Sequence, residues 1–273
     1  YRGDKNLERV MRFIDSLKPG ERFFLYEHMQ DTHFPWKRTS ENQAKKMGYE
    51  EGLGWVEKDG IQHSEEHLCY LQEVTRMDWQ VGQILKALKE KKLYENTMIV
   101  LLGDHGSQWL EHGHLYYPGH IYDPALRIPV IIKYPGMAKG RSVDSPVTQM
   151  DILSTVLELA GLKHTNLDET GPFPGCSLAP FLAGTETEDD RRCCAERDMI
   201  LTTHYDMVGY IERFKYKLIV DRPLGCYFLF DLVNDPGETE NLADSHPELL
   251  EHMLEGMREQ NRLNPGFLAG IAR

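Results

Sequence analysis

The chain contains 273 residues, which corresponds to one large domain or two moderate ones at roughly 100–200 residues per domain. Hydrophobic residues make up 41% and charged residues 27%, a composition typical of folded globular proteins. The 31 basic and 43 acidic residues give a net charge of −12, which disfavours nucleic acid and anionic lipid as partners. No apolar run reaches the roughly 18 residues of a membrane span, so we expect no membrane-spanning segment.

Hydrophobic spacing predicts helices and strands in alternation over the first part of the chain. Residues 5–18 and 64–90 carry apolar side chains at helical intervals. Between them, residues 22–26 are predicted to form a buried strand that leads into a polar loop containing His33. This order is typical of an α/β domain.

A second apolar stretch ends in polar residues. Residues 97–102 form an unbroken apolar run, which predicts a parallel strand buried on both faces. The run stops at Gly103-Asp104-His105-Gly106, and ligands in open α/β sheets bind at the carboxyl ends of strands. A further buried strand is predicted over 128–134, and a helix over 150–159 ends at Gly161.

The remaining residues follow a different pattern. Residues 166–190 are rich in Thr, Gly, Pro and acidic residues, which indicates a linker between a domain at 1–165 and a subdomain at 191–273. In that subdomain short apolar segments and turn residues predict antiparallel strands, followed by an amphipathic helix. The predicted strands and helix cover 199–203, 207–213, 216–220, 226–231 and 246–261.

Potential ligands and catalytic groups are concentrated after the 97–102 strand. Four of the twelve histidines fall within 16 residues: His105, His112, His114 and His120. Asp104, Glu111 and Asp123 lie in the same stretch. Carboxylate and imidazole groups bind divalent metals, so the cluster indicates a metal or catalytic site. A polar loop whose histidines hydrogen-bond the backbone remains the alternative.

Several segments, taken in order, resemble the type I sulfatases of the alkaline phosphatase superfamily. Residues 96–106 followed by Glu111-His112-Gly113 look like a conserved block of that family, and four later segments are similar to its further motifs. The later segments are 122–132, 147–161, 215–219 and 230–243. The resemblance implies an alkaline-phosphatase-like mixed sheet sandwiched by helices, followed by a small α+β subdomain with a short antiparallel sheet and a C-terminal helix.

The resemblance also implies a chemistry. Sulfatases hold the sulfate on one divalent cation, normally Ca²⁺, against a formylglycine nucleophile. Asp104 and His105 match two of the metal ligands, and His33 matches a histidine that donates to the sulfate. His120 becomes a candidate for contacting sulfate or protonating the leaving alcohol.

Two further residues are candidates for contacting substrate, each with a simpler alternative. His112 stands where the family places groups that contact sulfate or orient the loop, and Lys37 could bind an anionic or sugar substrate. A solvated surface charge is the alternative for Lys37, and backbone hydrogen bonding in a polar loop is the alternative for the histidine.

The sequence departs from the family pattern in its first part. It contains no Cys/Ser-x-Pro-x-Arg motif, from which formylglycine is made, and no paired aspartates for two further metal ligands. We therefore expect the chain to correspond to the C-terminal half of a sulfatase, inactive alone and partnered by the missing N-terminal half. Its five cysteines leave at least one thiol unpaired.

Alternative functions remain open at this point. A phosphodiesterase or phosphonate monoester hydrolase of the same superfamily can carry a similar C-terminal half, and a non-catalytic fragment or binding module is a third possibility. The sulfatase hypothesis implies a sulfated small molecule or glycan as substrate. Family association alone suggests a lysosomal, secreted or periplasmic location.

Overall fold

The computed structural model describes residues 2–33, 65–109, 111–113, 120–137, 140–162, 175–202 and 207–263. The chain divides into two compact units. The first comprises Tyr1–Ile99 and Lys133–Gly136, and the second comprises Val100–Ile132 and Met137–Arg273. None of the described helices is long and apolar enough to cross a membrane.

The first unit is built on two helices, both as predicted. Helix α1 spans Arg2–Ser16 and helix α2 spans Glu65–Glu90. Their apolar faces pack together, with Val10 and Ile14 of α1 buried in one cluster with Ala87 and Leu88 of α2. The amphipathic spacing seen in the sequence therefore marks the true contact faces.

The predicted strand at 22–26 is wrong. Residues 21–30 have no regular secondary structure, and Phe24 and Tyr26 are 84% and 75% exposed. Phe23 and Leu25 instead pack on the α1–α2 cluster. The segment alternates inward and outward side chains as a strand would, but no strand among the described residues pairs with it, and an apolar run does not reveal whether a partner exists.

Two short strands form a two-stranded sheet. Strand β1 spans Ile99–Leu102 and strand β2 spans Val130–Lys133, and they are hydrogen-bonded neighbours. The expectation of burial on both faces is wrong for β1, because Leu101 and Leu102 are more than one-third exposed. Apolar composition shows that a strand can be buried, and its neighbours decide whether it is.

Among the described residues, four α-helices of the second unit come before its four-stranded sheet, and one of them carries a partner of a buried ion pair. They are α3 (Asp123–Leu126), α4 (Met150–Leu159), α5 (Ala179–Ala183) and α6 (Glu188–Ala195). Asp151 of α4 is fully buried and accepts two hydrogen bonds of 2.7 Å from the guanidinium of Arg197. It also accepts the backbone N–H of Cys176, whose sulfur forms a disulfide with Cys193.

The range predicted as a linker contains folded structure in its described part. Residues 175–190 include α5 and the start of α6, and Leu178 and Phe181 are buried in one cluster with Cys176 and Cys194. The division at 1–165, 166–190 and 191–273 stays a prediction, and it does not coincide with the boundaries of the two compact units.

An antiparallel sheet covered by the last helix completes the second unit, as predicted. Its strands, in spatial and chain order, are β3 (Asp198–Thr202), β4 (Met207–Glu212), β5 (Tyr216–Asp221) and β6 (Cys226–Asp231). Helix α7 (Pro247–Leu263) packs on one face through Met253 and Met257. The opposite face contacts Ile121 and Tyr122, which precede α3.

Candidate active site

The candidate metal ligands lie in the turn that follows β1. The backbone carbonyls of Gly103 and Asp104 both accept hydrogen bonds from the Gln149 amide, at 2.9 and 2.8 Å. Because one side chain holds two successive carbonyls, the turn is fixed against the residue that precedes α4. The side chains of Asp104 and His105 are therefore presented from an anchored backbone.

Asp104 and His105 have the geometry to share one cation. The side chain of Asp104 is 72% exposed, and its Oδ2 lies 3.8 Å from Nε2 of His105. Calcium binds oxygen ligands at about 2.3–2.6 Å, so two atoms at this separation can both reach one ion. The described residues contain no cluster of three or more His, Cys, Asp or Glu suited to a metal, so these two donors fit an ion without completing its coordination.

Local hydrogen bonds orient the two side chains. Oδ1 of Asp104 accepts the backbone N–H of His105 at 2.9 Å, and Nδ1 of His105 lies 2.9 Å from the Gly106 carbonyl oxygen. An N–H at Nδ1 would donate a hydrogen bond to that carbonyl, and the lone pair of Nε2 would then be available to a metal ion. The imidazole is thereby suited to bind a metal through Nε2.

Gly106 connects this turn to α3 by a close backbone approach. Its N–H donates to the Ala125 carbonyl at 2.8 Å. A Cβ at this position would lie 2.0 Å from the Pro124 carbonyl oxygen, a separation that excludes any side chain. The glycine of the Asp-His-Gly motif is therefore required by packing against α3.

His112 and His120 both lie against Tyr122. The His112 ring stacks on the Tyr122 ring with 3.9 Å between centroids and 7° between planes, and the His120 ring is tilted at 6.3 Å. Burial, followed by the negative charge of Glu238, raises the pKa of Tyr122 to about 12. The tyrosine is therefore a neutral platform for the two imidazoles at physiological pH.

A buried ion-pair network borders this platform, and of its members sequence reasoning included only Asp123 in the candidate cluster. Lys217 Nζ lies 2.6 Å from Oδ1 of Asp123 and 2.6 Å from Oε1 of Glu238. Oε2 of Glu238 accepts the backbone N–H of Asp123 at 2.7 Å and lies 4.0 Å from Nε2 of His112. Lys217 lies in a strand and Glu238 in a turn-rich segment, so neither spacing nor composition indicated a buried pair.

The other predicted site residues cannot be joined to this geometry. His33 belongs to the first unit, where its N–H donates to the Gln30 carbonyl at 3.1 Å. It stands two residues after Asp31, a buried carboxylate that pairs with Arg76 at 3.2 Å. Lys37 and His114 lie outside the described residues.

Comparison with models of protein families shows the family to which the chain belongs. A family model described as Sulfatase matches residues 3–162, and a second, described as N-sulphoglucosamine sulphohydrolase, C-terminal, matches residues 111–262. The chain belongs to the sulfatase family. The two matches overlap over 111–162, so the candidate site from Glu111 to α3 falls within both.

Individual sulfatases are similar over part of their length. The chain is 27% identical over 266 residues to an endo-4-O-sulfatase of Bacteroides thetaiotaomicron, covering 89% of this chain and 51% of that protein. It is 28% identical over 178 residues to a choline-sulfatase of Rhizobium meliloti, covering 65% of this chain and 33% of that protein. This sulfatase chain thus spans about a third to a half of the length of these relatives.

Solved structures confirm the fold class. The chain superposes on Ps i-CgsB, solved in complex with k-i-k-neocarrahexaose, with a TM-score of 0.70 and 22% identity, covering 97% of this chain and 55% of that one. A 2-O GAG sulfatase gives a TM-score of 0.61 at 20% identity, covering 95% of this chain and 58% of that one. The expected sulfatase-like α/β architecture with a small antiparallel sheet and C-terminal helix is therefore present.

Proposed function

We propose that this chain contributes part of the active site of a sulfuric ester hydrolase. The observation that carries the proposal is the exposed Asp104–His105 pair, which stands on an anchored turn at the end of β1 within the region matched by the sulfatase family model. The two side chains are close enough to bind a common ion, since Oδ2 of Asp104 and Nε2 of His105 lie 3.8 Å apart.

In this proposal Asp104 and His105 bind one divalent cation, Ca²⁺, with further ligands from outside the described residues. When bound, the cation would neutralise charge on the sulfate oxygens. His33 and Lys37 would bind the sulfated substrate. His120 would contact sulfate or protonate the leaving alcohol, and His112, held flat on Tyr122, would contact the substrate.

The names of similar proteins support a class of substrate. Names among them specify an endo-4-O-sulfatase, a choline-sulfatase and a structure in complex with D-glucosamine-2-N, 6-O-disulfate. We propose a sulfated small molecule or glycan as substrate of the parent enzyme. The 273 residues contain no Cys/Ser-x-Pro-x-Arg motif, so the formylglycine nucleophile would come from outside this chain.

Calcium binding by the chain itself tests the metal assignment. Titration calorimetry with Ca²⁺ should detect weak binding, because only two ligands are contributed, and Asp104→Asn should abolish it. Asp244→Asn is the matched control, because it removes an equally exposed carboxylate from another part of the same unit. Equal binding by both variants would contradict the assignment of Asp104 as a ligand.

Hydrolysis by a protein that contains this chain together with the nucleophile motif tests the reaction. Matched aryl sulfate and aryl phosphate esters should show preference for sulfate, and Asp104→Asn should lower kcat/KM by on the order of 100-fold or more. Faster turnover of the phosphate ester would move the assignment to the phosphodiesterase and phosphonate monoester hydrolase branch. Absence of turnover on either ester, with Asp104 intact, would favour a non-catalytic module.

A further inference from the structure

The ion-pair network below the candidate site is buried to an unusual degree. The side chains of Lys217 and Glu238 are both 0% exposed, and they adjoin an apolar cluster that includes Tyr122 and Phe230. Well-packed apolar residues usually stabilise a protein as much as a buried ion pair does. Stability alone therefore gives little reason for charges here, and a more specific role has to be sought.

Two members of this region have strained backbones. Glu238 and His112 have positive φ angles of 54° and 55°, a conformation that glycine adopts at much lower cost. Their side chains approach to 4.0 Å between Oε2 and Nε2. Strained non-glycine residues persist where the surrounding structure holds them in place, and the contacts of these two side chains are part of what holds them here.

Helix α3 connects this network to the candidate metal ligands. At its first residue, Glu238 accepts the backbone N–H of Asp123 and Lys217 binds the Asp123 carboxylate. At its third residue, the Ala125 carbonyl accepts the N–H of Gly106, the residue that follows His105. A four-residue helix has few hydrogen bonds of its own, so its position depends on contacts with the rest of the unit: apolar packing of Leu126 and, at its start, the contacts of Asp123 with Glu238 and Lys217.

We infer that Glu238 and Lys217 are positioning residues: they hold α3, which fixes the Asp104–His105 turn through the Gly106–Ala125 hydrogen bond, and Glu238 also holds the ring of His112. The network thus sets the distance between the candidate metal ligands and the ring of His112. The role given to the positioned groups rests on the proposed function. The positioning itself is a property of this chain and can be tested without that function.

Hydrogen exchange at the Gly106 amide tests the inference directly. In the full chain, Glu238→Gln keeps the side-chain volume and removes the charge, and it should raise the Gly106 exchange rate at least tenfold more than the rates in β4 and β5. Glu240→Gln, an exposed carboxylate two residues further on, is the matched control and should leave Gly106 unchanged. A purely structural role would accelerate all slow amides by the same factor, and that result would overturn the inference.

A second variant covers the case in which Glu238→Gln does not fold. The double substitution Lys217→Met with Glu238→Leu leaves no unpaired buried lysine or glutamate charge in the network, and such replacements often preserve folding. It should still release the Gly106 amide selectively, because nothing would then hold the Asp123 N–H. Unchanged Gly106 exchange in the folded double variant would overturn the inference.

The outcome separates this inference from the proposed function. Exchange is measured without metal or substrate, so selective release of Gly106 supports positioning even if the parent protein hydrolyses no sulfate ester. Sulfate hydrolysis combined with uniform exchange changes would retain the proposed function and reject the positioning role. Calcium titration of Glu238→Gln adds a second readout, and it should show weaker binding than Glu240→Gln.

Discussion

Tyr122 is the residue at which the candidate site meets the core. One face of its ring stacks on His112, while Phe228 and Phe230 meet it at 6.4 and 5.9 Å in T-shaped arrangements. The edge-to-face contacts fix the ring because their geometry is directional. The imidazole therefore rests on a platform that the C-terminal sheet holds in place.

The raised pKa of Tyr122 predicts a specific alkaline instability. The pKa of Tyr122 is about 12 in the folded protein and about 10 in the unfolded chain. Its contribution to the free energy of unfolding is therefore complete below pH 10, and it is lost as pH rises toward 12. Tyr122→Phe should therefore lose less stability than the parent chain between about pH 9 and about pH 11. Denaturant unfolding at both pH values measures the difference.

The control for this measurement is a tyrosine at the surface. Tyr227 in β6 is 42% exposed, and Tyr227→Phe should lose as much stability as the parent over the same pH interval. Equal losses in Tyr122→Phe and in the parent would contradict the proposed burial of the Tyr122 phenol.

At the scale of elements, the antiparallel sheet and α7 form a tightly packed pair. The four strands pair in chain order, and Val208, Tyr210 and Leu218 face α7 in one buried cluster. Tyr210 also donates a hydrogen bond from its hydroxyl to Asp198 at 3.0 Å. Its ring is therefore held from two sides and has little room to move.

A glycine-to-alanine pair tests this packing. A Cβ at Gly256 of α7 would lie 2.5 Å from the Tyr210 hydroxyl oxygen, so Gly256→Ala should cost about 1–3 kcal/mol of folding stability through overpacking. Gly82 of α2 has no atom within 4 Å of its would-be Cβ, and Gly82→Ala should stabilise by roughly 0.5–1 kcal/mol. Denaturant midpoints measure both, and stabilisation by Gly256→Ala would contradict the described helix–sheet contact.

At the scale of the whole chain, covalent and ionic links hold distant segments of the second unit together. The Cys176–Cys193 disulfide joins residues 17 apart, and the Asp151–Arg197 pair joins α4 to the start of β3. Disulfides form mainly in oxidising compartments, so we expect the chain to fold in one. The buried Cys194 beside the bridge has a raised thiol pKa, caused chiefly by its burial.

Removal of the bridge should be costly. Loop-closure entropy for a loop of this length corresponds to about 3 kcal/mol, so Cys176→Ser with Cys193→Ser should lower the free energy of unfolding by about that amount. Cys226→Ser, which removes a free thiol, should have a much smaller effect. Denaturant unfolding with non-reducing peptide mapping tests this, and a parent chain with five free thiols would contradict it.

Local sequence patterns predicted much of the secondary structure correctly. The bounds of α4 were predicted to the residue, and those of α1, α2, the four antiparallel strands and α7 to within a few residues. The helices are amphipathic, so their pattern follows from burial of one face, whereas the strands of the sheet are short apolar runs that turn residues separate. The turn after β1 was also predicted, because an apolar run that ends in Gly-Asp-His-Gly is a local feature.

Tertiary structure alone decided the rest. The residues at 22–26 have the composition of a buried strand, yet they lack a pairing partner among the described residues, and partners come from distant sequence. The ion-pair network joins residues that are far apart in the chain. Only folding brings the carboxylates of Asp123 and Glu238 each to 2.6 Å from Nζ of Lys217. The sequence by itself thus determined family, elements and candidate metal ligands, whereas the network that supports them arose from long-range contacts that no local pattern encodes.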